Sequence, residues 1–137
     1  MDARGTPLGV TLSGANCHNS PLLSATLDAL PPVRPGRRGR PGRRPAKLHA
    51  DKGYDHRRCR QTCRKRGLKA RIARRRVDSS QRLGLYRWGV ERTHAWLARL
   101  RRLAKRYERR EDIHISFTVL GCALVCMNQV RPLCWAF

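Results

Sequence analysis

Acidic side chains are scarce in this 137-residue chain, nine Asp and Glu against thirty-one Lys and Arg, so each carboxylate raises the question of its purpose. Two stand where carboxylates do chemistry. Asp51 sits at the carboxyl end of a predicted strand, the place where α/β sheets commonly put their ligands. Glu91 lies on a predicted helix, four residues after Arg87. Brought together in a strongly basic surrounding, two such carboxylates would hold a divalent cation against phosphate oxygens. Each also has a plainer reading: Asp51 as the organiser of the Lys52-Gly53 turn, and Glu91 as a helix-surface partner of Arg87, in the weaker orientation with arginine on the amino-terminal side. His56, Cys59 and Cys63 share a predicted helix and could reach a soft metal, but the two cysteines also form its only apolar stripe, and core packing is the expected role. The same holds for Cys122 and Cys126. His94, close behind Glu91, is the one histidine kept as a candidate neighbour of the site.

The bases define the partner. A net charge of +22, with 26 of the 31 bases arginine, points to a polyanion gripped through phosphate. Three segments carry most of it: Arg34 to Arg44, Arg57 to Arg76, and Arg99 to Arg110. The second holds eleven cations and no acid, an arrangement that repels itself unless something anionic lies alongside. Nucleic acid is the expected ligand, with Arg37, Arg38, Arg40, Arg43, Arg44, Arg74, Arg75, Arg99, Arg101 and Arg102 as its phosphate contacts.

The elements that must position these residues follow from patterning. Arg4 to Pro7 reads as a turn, and Leu8, Val10 and Leu12 alternate as the returning strand of a hairpin with almost nothing before it, so the chain reads as cut at its start. Asn19 or Ser20 can cap a helix opened by Pro21 and stopped by Pro31-Pro32. Residues 33–45, nearly all Pro, Gly and Arg, read as a mobile basic loop. A strand over Lys47 to Ala50, a helix capped by Asp55 and closed by Gly67, and a strand near Leu68 to Ala73 come next, before a polar loop at 78–80. Leu85 to Arg102 has helical spacing, with Trp88, Trp96, Leu100 and Leu103 on one apolar face. A last helix, about Asp112 to Val130, is apolar nearly all round and is expected to be central and buried. Its best apolar run, Phe117 to Met127, is only eleven residues, and membrane association is not expected. The amino terminus lacks the basic start and apolar run of a secretory signal, which gives the expectation of a cytoplasmic, nucleoid-associated protein with reduced cysteines. The class is α/β, with too few strands for a full sheet.

Five ordered motifs sharpen this. LHADKGYD (48–55), RIARR (71–75), RWGVERTHAWL (87–97), RRLAKRYERREDIH (101–114) and CALVC (122–126) resemble, in order and spacing, the carboxy-terminal half of bacterial insertion-sequence transposases of the DDE type. GTPL (5–8) and GANCHNS (14–20) fit its early part, so the resemblance covers essentially the whole chain. It implies an incomplete ribonuclease H-like fold, a mixed sheet lacking its first strand and flanked by helices, with residues 1–137 forming part of a catalytic domain. It implies that Asp51 is the second aspartate of an Asp, Asp, Glu triad, Glu91 its glutamate and Arg87 the arginine before it, binding two Mg²⁺ or Mn²⁺ ions in the complete enzyme. The first aspartate would lie upstream; Asp2 is on the wrong strand to replace it. The family's HDS triplet reads His18-Asn19-Ser20, and the basic residue expected beyond the glutamate falls on Ala98 or Arg99. Implied partners are DNA, as element ends and target, the amino-terminal half of the transposase, and further copies in a homo-oligomer. Some relatives divide the protein between two reading frames joined by a frameshift, and this chain fits the downstream product and a decayed copy equally. The alternative is a non-catalytic basic DNA-binding remnant or competitor of the full transposase.

Overall fold

A computed structural model describes residues 1–33, 40–77 and 84–134, the side chains of 84–87 and 131–134 excepted. The chain forms two compact units, Ser13–Leu85 and Met1–Leu12 with Tyr86–Phe137.

In the Ser13–Leu85 unit, strands β1 (Lys47–Ala50) and β2 (Lys69–Ile72) pair in parallel, Lys47 opposite Lys69 and Ala50 opposite Ile72. Parallel neighbours need a crossover, and helix α2 (Arg57–Lys65) supplies it. Its buried stripe is only Cys59 and Cys63, 0% and 1% exposed, with Arg57, Arg58, Arg64 and Lys65 on the solvent side. The helix ends where the sequence says it must: the Leu68 N–H donates to the Cys63 carbonyl at 2.8 Å, the Gly67 N–H donates to Arg64 at 2.9 Å, and Gly67 has φ +61°. That left-handed closure strongly favours glycine. Helix α1 (Leu23–Asp28) follows a 3-10 turn at Ser20–Leu22 that contains Pro21; Asn19 stands at the cap position without a side-chain capping bond. Leu23 and Leu27 of α1 join Cys59, Cys63, Leu68 and Ile72 in one core cluster, so the core welds α1 and α2 to the strand pair.

The second unit contains helix α3 (Gly84–Ala98) from Tyr86 onward, α4 (Arg101–Ala104) and α5 (Glu111–Cys134). Its opening turn is closed by Asp2, whose Oδ1 accepts from the N–H groups of Arg4 and Thr6, both at 2.8 Å. Gly5, at φ +81°, comes against α3: its carbonyl accepts from the buried Thr93 hydroxyl, and a Cβ on Gly5 would meet Gly89 O at 3.0 Å and Thr93 Oγ1 at 3.1 Å. Thr6 Oγ1 donates to Gln129 of α5. Gly5→Ala is therefore expected to destabilise this unit by about 1–2 kcal/mol from the backbone alone, more with the crowding, read as a lower urea midpoint.

Four expectations are corrected. Leu8 to Leu12 forms no strand, because among the described residues no strand runs beside it. The helix expected over 85–102 breaks at Leu100, which takes an extended conformation (φ −82°, ψ 113°). The break aims Leu97, Leu100 and Leu103 at Gly121 of α5, where a Cβ would lie 2.7 to 3.1 Å from their methyl carbons. Trp88 is not part of a buried face; it is 45% exposed. Helix α5 is longer than expected and is not a central buried helix: Val119, Leu120, Leu124, Met127 and Val130 are all at least 40% exposed. By length and composition, Glu111–Val130 would suffice to cross a membrane. Of the loop expected at 33–45, residues 34–39 lie outside the described residues, and its flanks are tied by an antiparallel bridge between Val33 and Gly42. The polar loop at 78–80 also lies outside them.

Candidate functional site

Asp51 leaves β1 in an extended conformation and caps the 3-10 turn Lys52–Tyr54, its Oδ1 accepting from the Gly53 N–H at 2.9 Å. A Cβ on Gly53 would sit 3.0 Å from that oxygen, so the glycine lets the carboxylate fold over its own turn. The turn-organising reading of Asp51 is thus correct for Oδ1. Oδ2 accepts no hydrogen bond among the described residues, and the side chain is exposed, which leaves the charge available to a ligand. Tyr54, part of the core rim, has its phenol pushed up by burial first and by the Asp51 charge second.

The turn is held from behind by a residue the sequence assigned wrongly. Asp55 does not cap α2; His56 occupies that position without a capping bond. The Asp55 carboxylate instead accepts from the Arg75 backbone N–H at 2.9 Å and from the Arg60 guanidinium at 2.6 and 3.1 Å. Arg60 also donates to the Ile72 carbonyl, and Arg75 Nε donates to the Lys52 carbonyl at 3.1 Å. Asp55, Arg60 and Arg75 therefore clasp the Asp51 turn to the end of β2. The Arg75 N–H first, and Arg60 second, hold the Asp55 carboxyl below the usual carboxylate range. A carboxyl depressed in the folded state stabilises above its unfolded pKa and loses that contribution as pH falls through its folded pKa. Asp55→Asn is expected to lower the melting temperature at pH 7 and to leave a shallower decline below about pH 4, measured by circular dichroism. Asp28, Glu108 and Asp112, depressed by their own arginine or backbone contacts, account for the decline that remains.

His18-Asn19-Ser20 stands beside this clasp. The His18 and His56 rings meet edge to face at 5.4 Å, His18 Nδ1 lies 2.8 Å from Ser20 Oγ, and Arg58 donates to the same oxygen. His56 Nε2 is 3.4 Å from Arg75; burial first, then the Arg75 charge, push its pKa down. The metal reading of His56, Cys59 and Cys63 does not apply: Cys59 and Cys63 are core residues, and no group of three metal-ligating side chains occurs among the described residues.

Glu91 is exposed on α3, in the other unit, and His94 is exposed nearby on the same helix. Arg92 stacks between Trp88 and Trp96, 4.1 and 4.8 Å from their ring centroids, and donates to the Arg4 carbonyl. Arg87 lies on α3, with its side chain outside the described residues.

Among the expected phosphate contacts, Arg40, Arg43, Arg44, Arg74, Arg99 and Arg101 are exposed, while Arg37 and Arg38 lie outside the described residues. Arg43 and Arg44 line a recess of about 290 Å³ with Arg66, and Arg44 also donates to the Gly67 carbonyl at the end of α2. Arg66 is bidentate to Asp28 at 2.7 and 2.9 Å. Two of the expected contacts have structural work as well: Arg75 in the clasp, and Arg102, which pairs with Glu108 at 3.0 Å and lies 5.5 Å from the Phe117 ring centroid. Spacing alone gave no signal for either role.

The described residues thus place one exposed carboxylate at the end of a parallel strand in one unit and a second on a helix of the other, with exposed arginines in both. The sequence profile described as Transposase DDE domain matches residues 1–126, and the chain belongs to that family. It is 52% identical over 130 residues to a Burkholderia cepacia protein described as "Putative transposase for insertion sequence element IS402", a match covering 95% of this chain and 61% of that protein. The chain thus spans about three-fifths of the length of this relative. No solved structure matches it.

Proposed function

We propose that the chain is the segment of a transposase that supplies the second aspartate, Asp51, and the glutamate, Glu91, for DNA strand cleavage and strand transfer. The observation that carries the reading is Asp51: within a matched DDE domain, its carboxylate ends a parallel strand with Oδ2 uncommitted and its backbone held by the Asp55 clasp. Exposed carboxylate oxygens are the donors that hard divalent cations take, so the chemistry of the set fits Mg²⁺ or Mn²⁺. Asp51 and Glu91 would hold the ions of a two-ion site, with a further aspartate from the rest of the protein. When bound, such ions activate a water or 3′ hydroxyl and stabilise the leaving oxygen.

The chain's own residues do the rest. Asp51 Oδ1 fixes the turn so that Oδ2 is presented in one direction, and Asp55 keeps that turn on the sheet. Arg87, four residues before Glu91 on α3, would balance the charge of that carboxylate. Exposed arginines hold DNA, at the element ends and at the target, by phosphate contacts. An incomplete ribonuclease H-like fold is the architecture this reading expects, of which the described β1–α2–β2 unit would be one part. The partners are DNA, the amino-terminal half of the transposase and further copies of the assembled protein, in the cytoplasm at the nucleoid. The test is Mg²⁺-dependent cleavage of an element end by this chain joined to the relative's remaining segment, compared with the same protein carrying Asp51→Asn.

The alternative is a DNA-binding remnant or competitor without activity of its own, for which the exposed arginines would suffice. Inhibition of a full-length transposase by the isolated chain, in proportion to the element ends it occupies, distinguishes that role.

A further inference from the structure

Helix α5 presents an apolar seam for which the described structure has no cover. Ile113, Phe117, Leu120, Leu124 and Met127 recur at alternating steps of four and three, the spacing of a helix seam that receives a packed partner. Four of the five are 40%, 56%, 40% and 60% exposed, and Phe117 is half-buried. The seam runs for about 21 Å along the helix, and a recess of about 300 Å³ opens beside Ile113, Ser116, Phe117 and Leu120. The opposite side of α5 is occupied: Thr118 and Val125 are buried, and three leucines press on Gly121. Val125, 8% exposed, is the one buried large apolar side chain of this unit among the described residues, too small a core for a unit of its size. In the same unit, Leu8, Val10 and Leu12 keep the alternation of a half-buried strand, and among the described residues no strand lies beside them.

We infer that the α5 seam and the 8–12 segment together are the docking surface for the polypeptide that makes up the remaining two-fifths of the relative's length. The inference rests on the reading of this chain as one segment of a transposase, and it names the surface through which the other segment joins. The occupant would bring a strand to pair beside Leu8 to Leu12 and apolar side chains to fill the seam. Two other occupants are disfavoured by features on the molecule. A second copy would bring another +22 against the first. A bilayer would have to accept His114, Ser116, Asn128 and Gln129 on the same helix.

The test is co-expression of the 137-residue chain with a separately tagged polypeptide corresponding to the part of the Burkholderia cepacia relative outside the 130-residue match. A one-to-one complex by light scattering is expected, with amide exchange across 113–127 slowed about tenfold or more relative to the chain alone. Leu120→Lys with Leu124→Lys is expected to weaken the complex by about 100-fold. Met127→Lys gives a second reading at the far end of the seam, and circular dichroism confirms that the variants fold. Arg43→Ala, remote from the seam in sequence and in the other unit, leaves the complex intact. A complex unaffected by the seam substitutions overturns the inference. So does a homodimer of the chain that those substitutions dissolve, or binding through α5 to phosphatidylcholine and phosphatidylglycerol vesicles with no complex formed. These readouts use neither DNA nor metal, so a seam-dependent complex that fails to cut DNA supports the docking surface while removing the cleavage reading.

Discussion

In a protein completed by the relative's remaining segment, Asp51→Asn is expected to lower DNA cleavage by about a hundred- to a thousandfold, the scale of removing one preorganised electrostatic contact from a transition state. The substitution is informative because of how the side chain divides its work. Asparagine keeps an Oδ1 that can accept from the Gly53 N–H, as Asp51 does at 2.9 Å, so the turn survives while the charge is removed. Asp51→Ala removes both and is expected to cost stability as well as activity. Glu91→Gln, which keeps length and polarity on an exposed face of α3, should match Asp51→Asn in cleavage. DNA affinity should stay within about twofold in both, since removing one acid from a field of +22 changes phosphate binding little and in the favourable direction. Gel-shift and cleavage assays on the same preparations separate the two effects.

The second large effect is that of salt on DNA binding. If about six phosphates are neutralised, log K against log salt should have a slope near −5, a loss of about a thousandfold between 50 and 200 mM. Replacing Arg37, Arg38, Arg40, Arg43 and Arg44 with alanine should weaken binding to every sequence and flatten the slope by about 1 for each lost contact. Because Arg44 also supports the end of α2 through Gly67, its single variant should be checked for a lower melting temperature. Fluorescence anisotropy over a salt series reads the slope, and a slope near zero would remove phosphate contact as the basis of affinity.

How much of this was legible beforehand depended on whether the signal was local. Strand β1, helix α2, its closure at Gly67 and strand β2 were all readable, because alternation, a two-cysteine stripe and a left-handed glycine act within a few residues of themselves. The position of Asp51 at a strand end was readable for the same reason. Asp55 was misread because a local rule, acid before helix, competed with partners five and twenty residues away. The break at Leu100 was invisible because the contact it accompanies, Leu97, Leu100 and Leu103 close against Gly121, joins residues some twenty positions apart. Apolar composition made α5 look central, yet composition does not say whether the partner of an apolar face lies in the same polypeptide. The alternation at 8–12 failed as a strand in the same way, since a strand exists only through its neighbour.

The central claim is that this chain carries two of the three carboxylates of a metal-dependent nuclease site. Its most direct test is cleavage of an end-labelled element terminus by the isolated 137-residue chain and by the completed protein, across a Mg²⁺ and Mn²⁺ titration with Ca²⁺ as control. Strand cleavage is expected only from the completed protein, only with Mg²⁺ or Mn²⁺, and is lost on Asp51→Asn. Robust cleavage by the isolated chain, or cleavage by the completed protein that survives both Asp51→Asn and Glu91→Gln, would contradict it.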